Sequence, residues 1–158
     1  MAKNPDVTEP TAADIMTADV IIISADATID ELAKLMAKHR ISGIPVTDEQ
    51  NRVVGMVTEG DVVELDADVH FPHSISLFDS VIFLGSMKKF EDRLRHVVAA
   101  TVRDIMSTDV ISVSKDATLR QIATLMADKQ VNRLPVIDGG RLVGIVTRAD
   151  VVRAMARS

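Results

Sequence analysis

The chain has no cysteine, no tryptophan and no tyrosine among its 158 residues. Without cysteine there is no disulfide framework, no thiolate metal centre and no thiol nucleophile. That usage fits a reducing compartment, so a cytoplasmic location is expected. No apolar run approaches the roughly 18 residues of a membrane span. The opening Met1-Ala2-Lys3-Asn4-Pro5-Asp6 lacks the apolar core of a secretory signal, and no membrane partner is expected. Basic residues are also short: 18 Lys and Arg stand against 23 Asp and Glu, a net charge of −5. No basic stripe offsets that balance, which excludes a general nucleic-acid binder but not a nucleotide ligand, whose charge needs only one or two local cations. Nucleophile elbow, His-Glu-x-x-His and Walker loop are all absent, so no enzyme and no catalytic cofactor are expected.

What the chain does have is a repeat. Asp14-Ile15-Met16 through Asp48 aligns without a gap on Asp104-Ile105-Met106 through Asp138. After a one-residue deletion, Arg52 through Val63 aligns on Arg141 through Val152, and about half of all aligned positions are identical. Internal duplication accounts for agreement of that length.

Each copy reads in the same order. A short leader precedes a β-branched run, Val20-Ile21-Ile22-Ile23 or Val110-Ile111-Ser112-Val113. A capping box, Thr28 with Glu31 or Thr118 with Gln121, opens an amphipathic helix carrying Ile29, Leu32, Leu35 and Met36, or Leu119, Ile122, Leu125 and Met126. Ile44-Pro45-Val46 or Leu134-Pro135-Val136 forms the next strand and turns back into Val53–Val57 or Leu142–Val146. A second helix closes the unit near Glu59 or Arg148. The predicted fold class is α/β (α+β), with two β-α-β-β-α repeats at 12–65 and 101–154 packed about a pseudo-two-fold axis. An apolar helical connector at 66–100 joins them. One unit of about 50 residues cannot cover both faces of its small sheet, whereas two packed together can. Two equivalent clefts are expected where the strand ends meet.

At the end of each hairpin stands Gly-x-x-Thr-x-x-Asp: Gly55, Thr58 and Asp61, then Gly144, Thr147 and Asp150. A hydroxyl and a carboxylate three residues apart at a helix start share one face, and together they suit the vicinal hydroxyls of a ribose. The same residues also suit a helix N-cap and a first-turn acid favoured by the helix dipole. Both readings stand on sequence alone.

These motifs, with Asp-Ile-Met at 14–16 and 104–106, Asp-Ala-Thr at 26–28 and 116–118 and Pro-Val at 45–46 and 135–136, resemble the cystathionine-β-synthase-type (CBS) domain. The tandem resembles a Bateman module. The resemblance implies a regulatory module that binds an adenine nucleotide (AMP, ADP or ATP) or an adenosyl compound such as S-adenosylmethionine. It implies that Asp61 and Asp150 hold ribose hydroxyls and that Thr58 and Thr147 bond ribose or phosphate. It further implies that Val20, Ile21 and Ile22, and Val110, Ile111 and Ser112, line an adenine slot, with Ile44 and Leu134 as apolar walls. The basic residue that faces phosphate in the family corresponds to Arg133 in the second copy but to Gly43 in the first, so the Asp150 cleft is expected to suit a phosphorylated ligand better. Arg148 offers a second cation. Binding is expected to bias the tilt of repeats or dimer halves and to signal to a separate effector protein. A purely structural interaction module with empty clefts is the alternative.

The connector holds all four phenylalanines, Phe71, Phe78, Phe83 and Phe90. An apolar segment of that kind has to be buried, and a homodimer contact is the expected cover. Asp66, Asp68, His70 and His73 suggest a metal, but Pro72 interrupts any helix between the histidines, and a loop reading is preferred with no metal expected.

Overall fold

The computed structural model describes residues 8–67, 92, 95 and 99–157. The chain order is α1 (Ala12–Ile15), α2 (Ile29–His39), β1 (Gly43–Thr47), β2 (Val53–Thr58), α3 (Glu59–Ala67), α4 (Val102–Ile105), β3 (Val113–Ser114), α5 (Leu119–Lys129), β4 (Arg133–Asp138), β5 (Arg141–Thr147) and α6 (Arg148–Met155). This is the mixed α/β repeat expected from the sequence. The connector phenylalanines, together with Asp68, His70 and His73, lie outside the described residues.

The capping boxes form as their sequences dictate. Thr28 Oγ1 accepts from the Glu31 N–H at 3.1 Å, and the Thr28 N–H donates to Glu31 Oε2 at 2.8 Å. Thr118 and Gln121 repeat this at 3.3 and 2.9 Å. Each box satisfies N–H groups that a helix start leaves without partners. Both helices end on a left-handed residue, Arg40 at φ 51° and Gln130 at φ 53°.

The three-stranded sheet has the order β3-β4-β5, with β3 parallel to β4 and β4 antiparallel to β5. Its hairpin turns at Gly139 and Gly140, φ 56° and 79°, a left-handed pair that suits glycine at a two-residue turn. The β-branched runs expected to be full strands pair much less than anticipated. Ile23 alone bridges to Val46, and Val113-Ser114 alone pairs with Val136-Ile137. The prolines explain the shortfall. Pro45 and Pro135 have no N–H to donate, so in both copies the ladder towards the first segment begins only at the residue after proline.

The chain forms two compact units, and these cut across the repeat boundaries. One draws on 8–22, 47–53 and 109–157; the other draws on 23–46, 54–67 and 99–108. The short leader ahead of each copy therefore lies in the unit built from the other copy. In the first unit the Ala12 and Ala13 N–H groups donate to the carbonyls of Ala117 and Lys115, at 2.8 and 2.9 Å. Thr17 and Ile145 exchange two backbone bonds at 2.9 and 3.0 Å. Ala12, with no exposed surface, joins a core of Val113, Leu119, Ile122, Met126, Leu134, Val136, Val146, Val151 and Ala154.

The second unit is built the same way. The Val102 and Arg103 N–H groups donate to Ala27 and Ala25 at 2.9 and 2.8 Å, and Met56 and Ser107 exchange two bonds at 2.9 Å. Val102 has no exposed surface and lies in the same unit as buried Ile23, Leu32, Met36, Ile44, Val46 and Val57.

Candidate functional site

The two strand-to-helix joints carry the Thr-x-x-Asp pairs. Each is fixed by the same backbone bond, from Arg148 N–H to Asn132 O at 3.0 Å and from Glu59 N–H to Ser42 O at 3.0 Å. At the second joint, Thr147 N–H and Oγ1–H both donate to Asp150 Oδ2 at 2.7 Å, and Thr147 Oγ1 accepts from Asp150 N–H at 3.4 Å. Asp150 is buried, at 7% exposure. At the first joint, Thr58 N–H and Oγ1–H donate to Asp61 Oδ2 at 2.7 and 3.0 Å, and Asp61 is half-buried.

The capping geometry foreseen as one of the two readings is therefore present, and it consumes one carboxylate oxygen. A carboxylate oxygen carries two lone pairs, and Thr147 occupies both on Oδ2. A diol approaching either joint has to be met by Oδ1. That oxygen differs between the copies. Asp150 Oδ1 accepts from Arg153 Nη2, one turn further along α6. The position equivalent to Arg153 is Glu64, and among the described residues no cation pairs with Asp61. Sequence reasoning passed over Arg153 and Glu64, although aligning the copies exposes the charge reversal.

Arg133 opens β4 directly opposite Thr147, the last residue of β5. Cross-strand partners of this kind carry their side chains on one face within reach of each other, so Arg133 stands beside the Thr147–Asp150 joint. It is half-buried. Arg148 is exposed in the first turn of α6. Val110, Ile111 and Ser112 lead into β3 in the same unit, the first two half-buried and Ser112 exposed. The structure thus gathers Arg133, Thr147, Asp150 and Val110–Ser112 into one compact unit.

Leu134 and Ile44, expected as apolar walls, have no exposed surface. Alternation along the strand turns Leu134 to the face opposite Arg133, where it is part of the core with Val136 and Val146. In the first copy, Thr58, Asp61 and Ile44 belong to one compact unit, while Val20, Ile21 and Ile22 belong to the other. Among the described residues there is no cluster of metal-ligating side chains, and no helix is long and apolar enough to cross a membrane.

Comparison with known proteins bears on this arrangement. The protein MJ1426 of Methanocaldococcus jannaschii is 31% identical over 150 residues, which make up 90% of this chain and 89% of that protein. The chloroplastic CBS domain-containing protein CBSX1 of Arabidopsis thaliana is 32% identical over 142 residues; these are 86% of this chain but 59% of CBSX1, so the chain spans under two thirds of that relative. The crystal structure of CBSX2 in complex with AMP superposes with a TM-score of 0.72 at 25% identity, covering 93% of this chain and 96% of that one. The CBS domain pair of MJ0100 shares the fold, with a TM-score of 0.72 at 24% identity over 95% and 98% of the two chains. The sequence matches the CBS domain twice, over residues 12–68 and 102–157. The chain belongs to the CBS domain family, as a tandem pair of CBS domains.

Proposed function

We propose that this chain is a regulatory sensor of adenine nucleotides, with AMP, ADP or ATP as the ligand rather than a substrate. The observation that carries the reading is the placement of Arg133 directly across from Thr147, beside Asp150. A guanidinium fork suits phosphate, and a hydroxyl with a carboxylate suits a ribose diol. Support also comes from the AMP held by the similar CBSX2. The ligand's ribose meets Asp150 Oδ1, its phosphate meets Arg133, and its adenine packs by Val110–Ser112. The Asp61 joint offers the same carboxylate and hydroxyl, with Gly43 where the second copy has Arg133.

In this reading the chain works as a homodimer, and ligand binding shifts the arrangement of repeats or dimer halves. It does so only by as much as the ligand prefers one arrangement over the other. An effector protein receives the output, and the supply of such ligands implies a cytoplasmic location. Calorimetry with AMP, ATP and S-adenosylmethionine against wild type, Asp61→Ala, Asp150→Ala and Arg133→Ala tests the reading. Each aspartate change deletes one site and spares the other. Arg133→Ala weakens AMP while leaving S-adenosylmethionine, which has no phosphate, unchanged. A second reading, an S-adenosylmethionine sensor, is favoured if only that ligand binds. Silence with all three ligands leaves a structural interaction module.

A further inference from the structure

The second Thr-x-x-Asp joint is short of acceptors. The Thr147 N–H and hydroxyl fill both lone pairs of Asp150 Oδ2, each at 2.7 Å, and the hydroxyl has thereby spent its own hydrogen. Oδ1 remains, and it accepts from Arg153 Nη2. One lone pair of the carboxylate is left open, on a side chain that is 8% exposed. A ribose brings two hydroxyl donors to that edge. At the first joint the count differs. Thr58 caps Asp61 Oδ2 in the same way, but Glu64 stands where the second copy has Arg153, and among the described residues no cation pairs with Asp61. Arg153 is also loosely held: its side chain is 62% exposed, and Asp150 is its one ion-pair partner among the described residues.

We infer that Arg153 sets how sharply the Asp150 joint tells ribose from 2′-deoxyribose, by competing with one of the two sugar hydroxyls for Oδ1. A 2′-deoxy sugar has a single hydroxyl there and uses the open lone pair with Arg153 in place. A ribose has two, and the second reaches Oδ1 only after the guanidinium swings out into solvent. The hydrogen bond gained is then offset by the ion pair lost. A site built to bond a ligand hydroxyl ordinarily rejects the analogue that lacks it, because a buried polar group is left unpaired. Here the rejected analogue leaves nothing unpaired, since Arg153 stays on the oxygen that the missing hydroxyl does not claim. Arg153 thus acts on specificity through Asp150 rather than through the ligand. The inference rests on the reading of Asp150 as a ribose site and adds what tunes it.

Calorimetry with AMP and 2′-deoxy-AMP on Asp61→Ala chains, with and without Arg153→Ala, isolates the second joint. The phosphate is common to both ligands, so losing a cation affects them alike and cancels in the ratio of their dissociation constants. The preference for AMP over 2′-deoxy-AMP rises about three- to fivefold in the Arg153→Ala chain, the scale of an ion pair with one exposed partner. An unchanged or smaller preference overturns the inference and leaves the ribose site standing. AMP that binds neither chain sinks the ribose reading itself, and the inference with it. A second readout needs no change at position 153: nitrogen NMR of the arginine side chains in the wild-type chain. The Arg153 guanidinium is held in the free chain, is set free by AMP and stays docked with 2′-deoxy-AMP. A guanidinium that remains docked when AMP binds overturns the competition directly.

Discussion

The Met16 side chain lies directly over Gly144 of β5, in the space that a Cβ at position 144 would fill. Such a Cβ would stand 2.8 Å from Met16 Cγ and 3.1 Å from Met16 Cβ, with the sulfur closer still. The equivalent pair repeats the arrangement. A Cβ on Gly55 would come within 2.6 Å of the Met106 sulfur and 3.1 Å of the Ser107 carbonyl oxygen. Glycine is used at these two positions for close approach, not for turning. Gly144→Ala is therefore expected to destabilise by about 1–3 kcal/mol through overpacking. Urea unfolding of Gly144→Ala in wild-type and Met16→Ala backgrounds checks this. The penalty shrinks when Met16 is trimmed, and an equal penalty in both backgrounds would remove Met16 as its cause.

The exchanged leader makes a second expectation that runs against sequence order. Deleting residues 1–17 removes Ala12 from the core that holds Leu134 and Val146, and removes both bonds to Ile145. Ile15 and Met16, packed against the same core, go with it. The loss is expected to reach about 3 kcal/mol, in the range of deleting a large buried side chain. Amide hydrogen exchange locates the damage. Protection falls first in β5 and α5, which belong to the second repeat although the deletion lies at the start of the first. Faster exchange confined to α2 and β2 would contradict the exchange of leaders.

Much of this architecture is legible in the sequence. Thr28 with Glu31 and Thr118 with Gln121 announce their helices because a capping box is local chemistry, complete within four residues. The second hairpin is equally plain, since two glycines after Asp138 leave little choice of turn. The exchange of leaders was not legible. Asp14-Ile15-Met16 and Asp104-Ile105-Met106 are the same peptide, and Gly55 and Gly144 are the same receptor, so nothing in the pattern says which docks on which. The Thr-x-x-Asp pairs were legible only as two alternatives. In the folded chain Oδ2 of each aspartate is taken by its cap, and Oδ1 is the oxygen that distinguishes the copies. Arg153 escaped notice because a single arginine on a helix reads as solvated until its partner is seen.

Acid sensitivity has an identifiable source. Backbone and hydroxyl hydrogen bonds from Thr11 hold the Asp14 carboxyl below its ordinary value of 3.8, and the Arg52 backbone N–H does the same, first among several causes, for Asp48. A carboxylate whose folded pKa is depressed stabilises the fold above its unfolded pKa. That contribution is lost as pH falls through the folded value. The melting temperature is therefore expected to be insensitive to these two groups between pH 5 and 7, about one unit or more above the ordinary carboxylate value, and to fall once pH drops below it. Asp14→Asn lowers stability near neutrality and flattens part of the acid decline. A melting profile with the same acid slope in wild type and variant would clear Asp14 of that role.

The two aspartates of the ribose motif should not be equivalent when removed, even without ligand. Asp150 is 7% exposed and accepts from Thr147 twice and from Arg153 once. Removing its carboxylate leaves the Thr147 N–H and hydroxyl without acceptors at a buried joint, and such groups cost about 1–3 kcal/mol when unsatisfied. Asp61 is half-buried, accepts from Thr58 alone among the described residues, and sits one turn from the like-charged Glu64. Water can replace its oxygens, and its removal relieves a repulsion. Chemical denaturation should find Asp150→Ala destabilised by about 1–3 kcal/mol and Asp61→Ala by well under half as much. Arg153→Ala also costs well under half as much as Asp150→Ala, because an exposed partner contributes little to a pair. Equal losses at 61 and 150 would mean that burial and Arg153 contribute nothing at the second joint. The same ordering decides how the calorimetric test is run: Asp150→Ala has to be assayed well below its own melting temperature, or a lost site and a lost fold read alike.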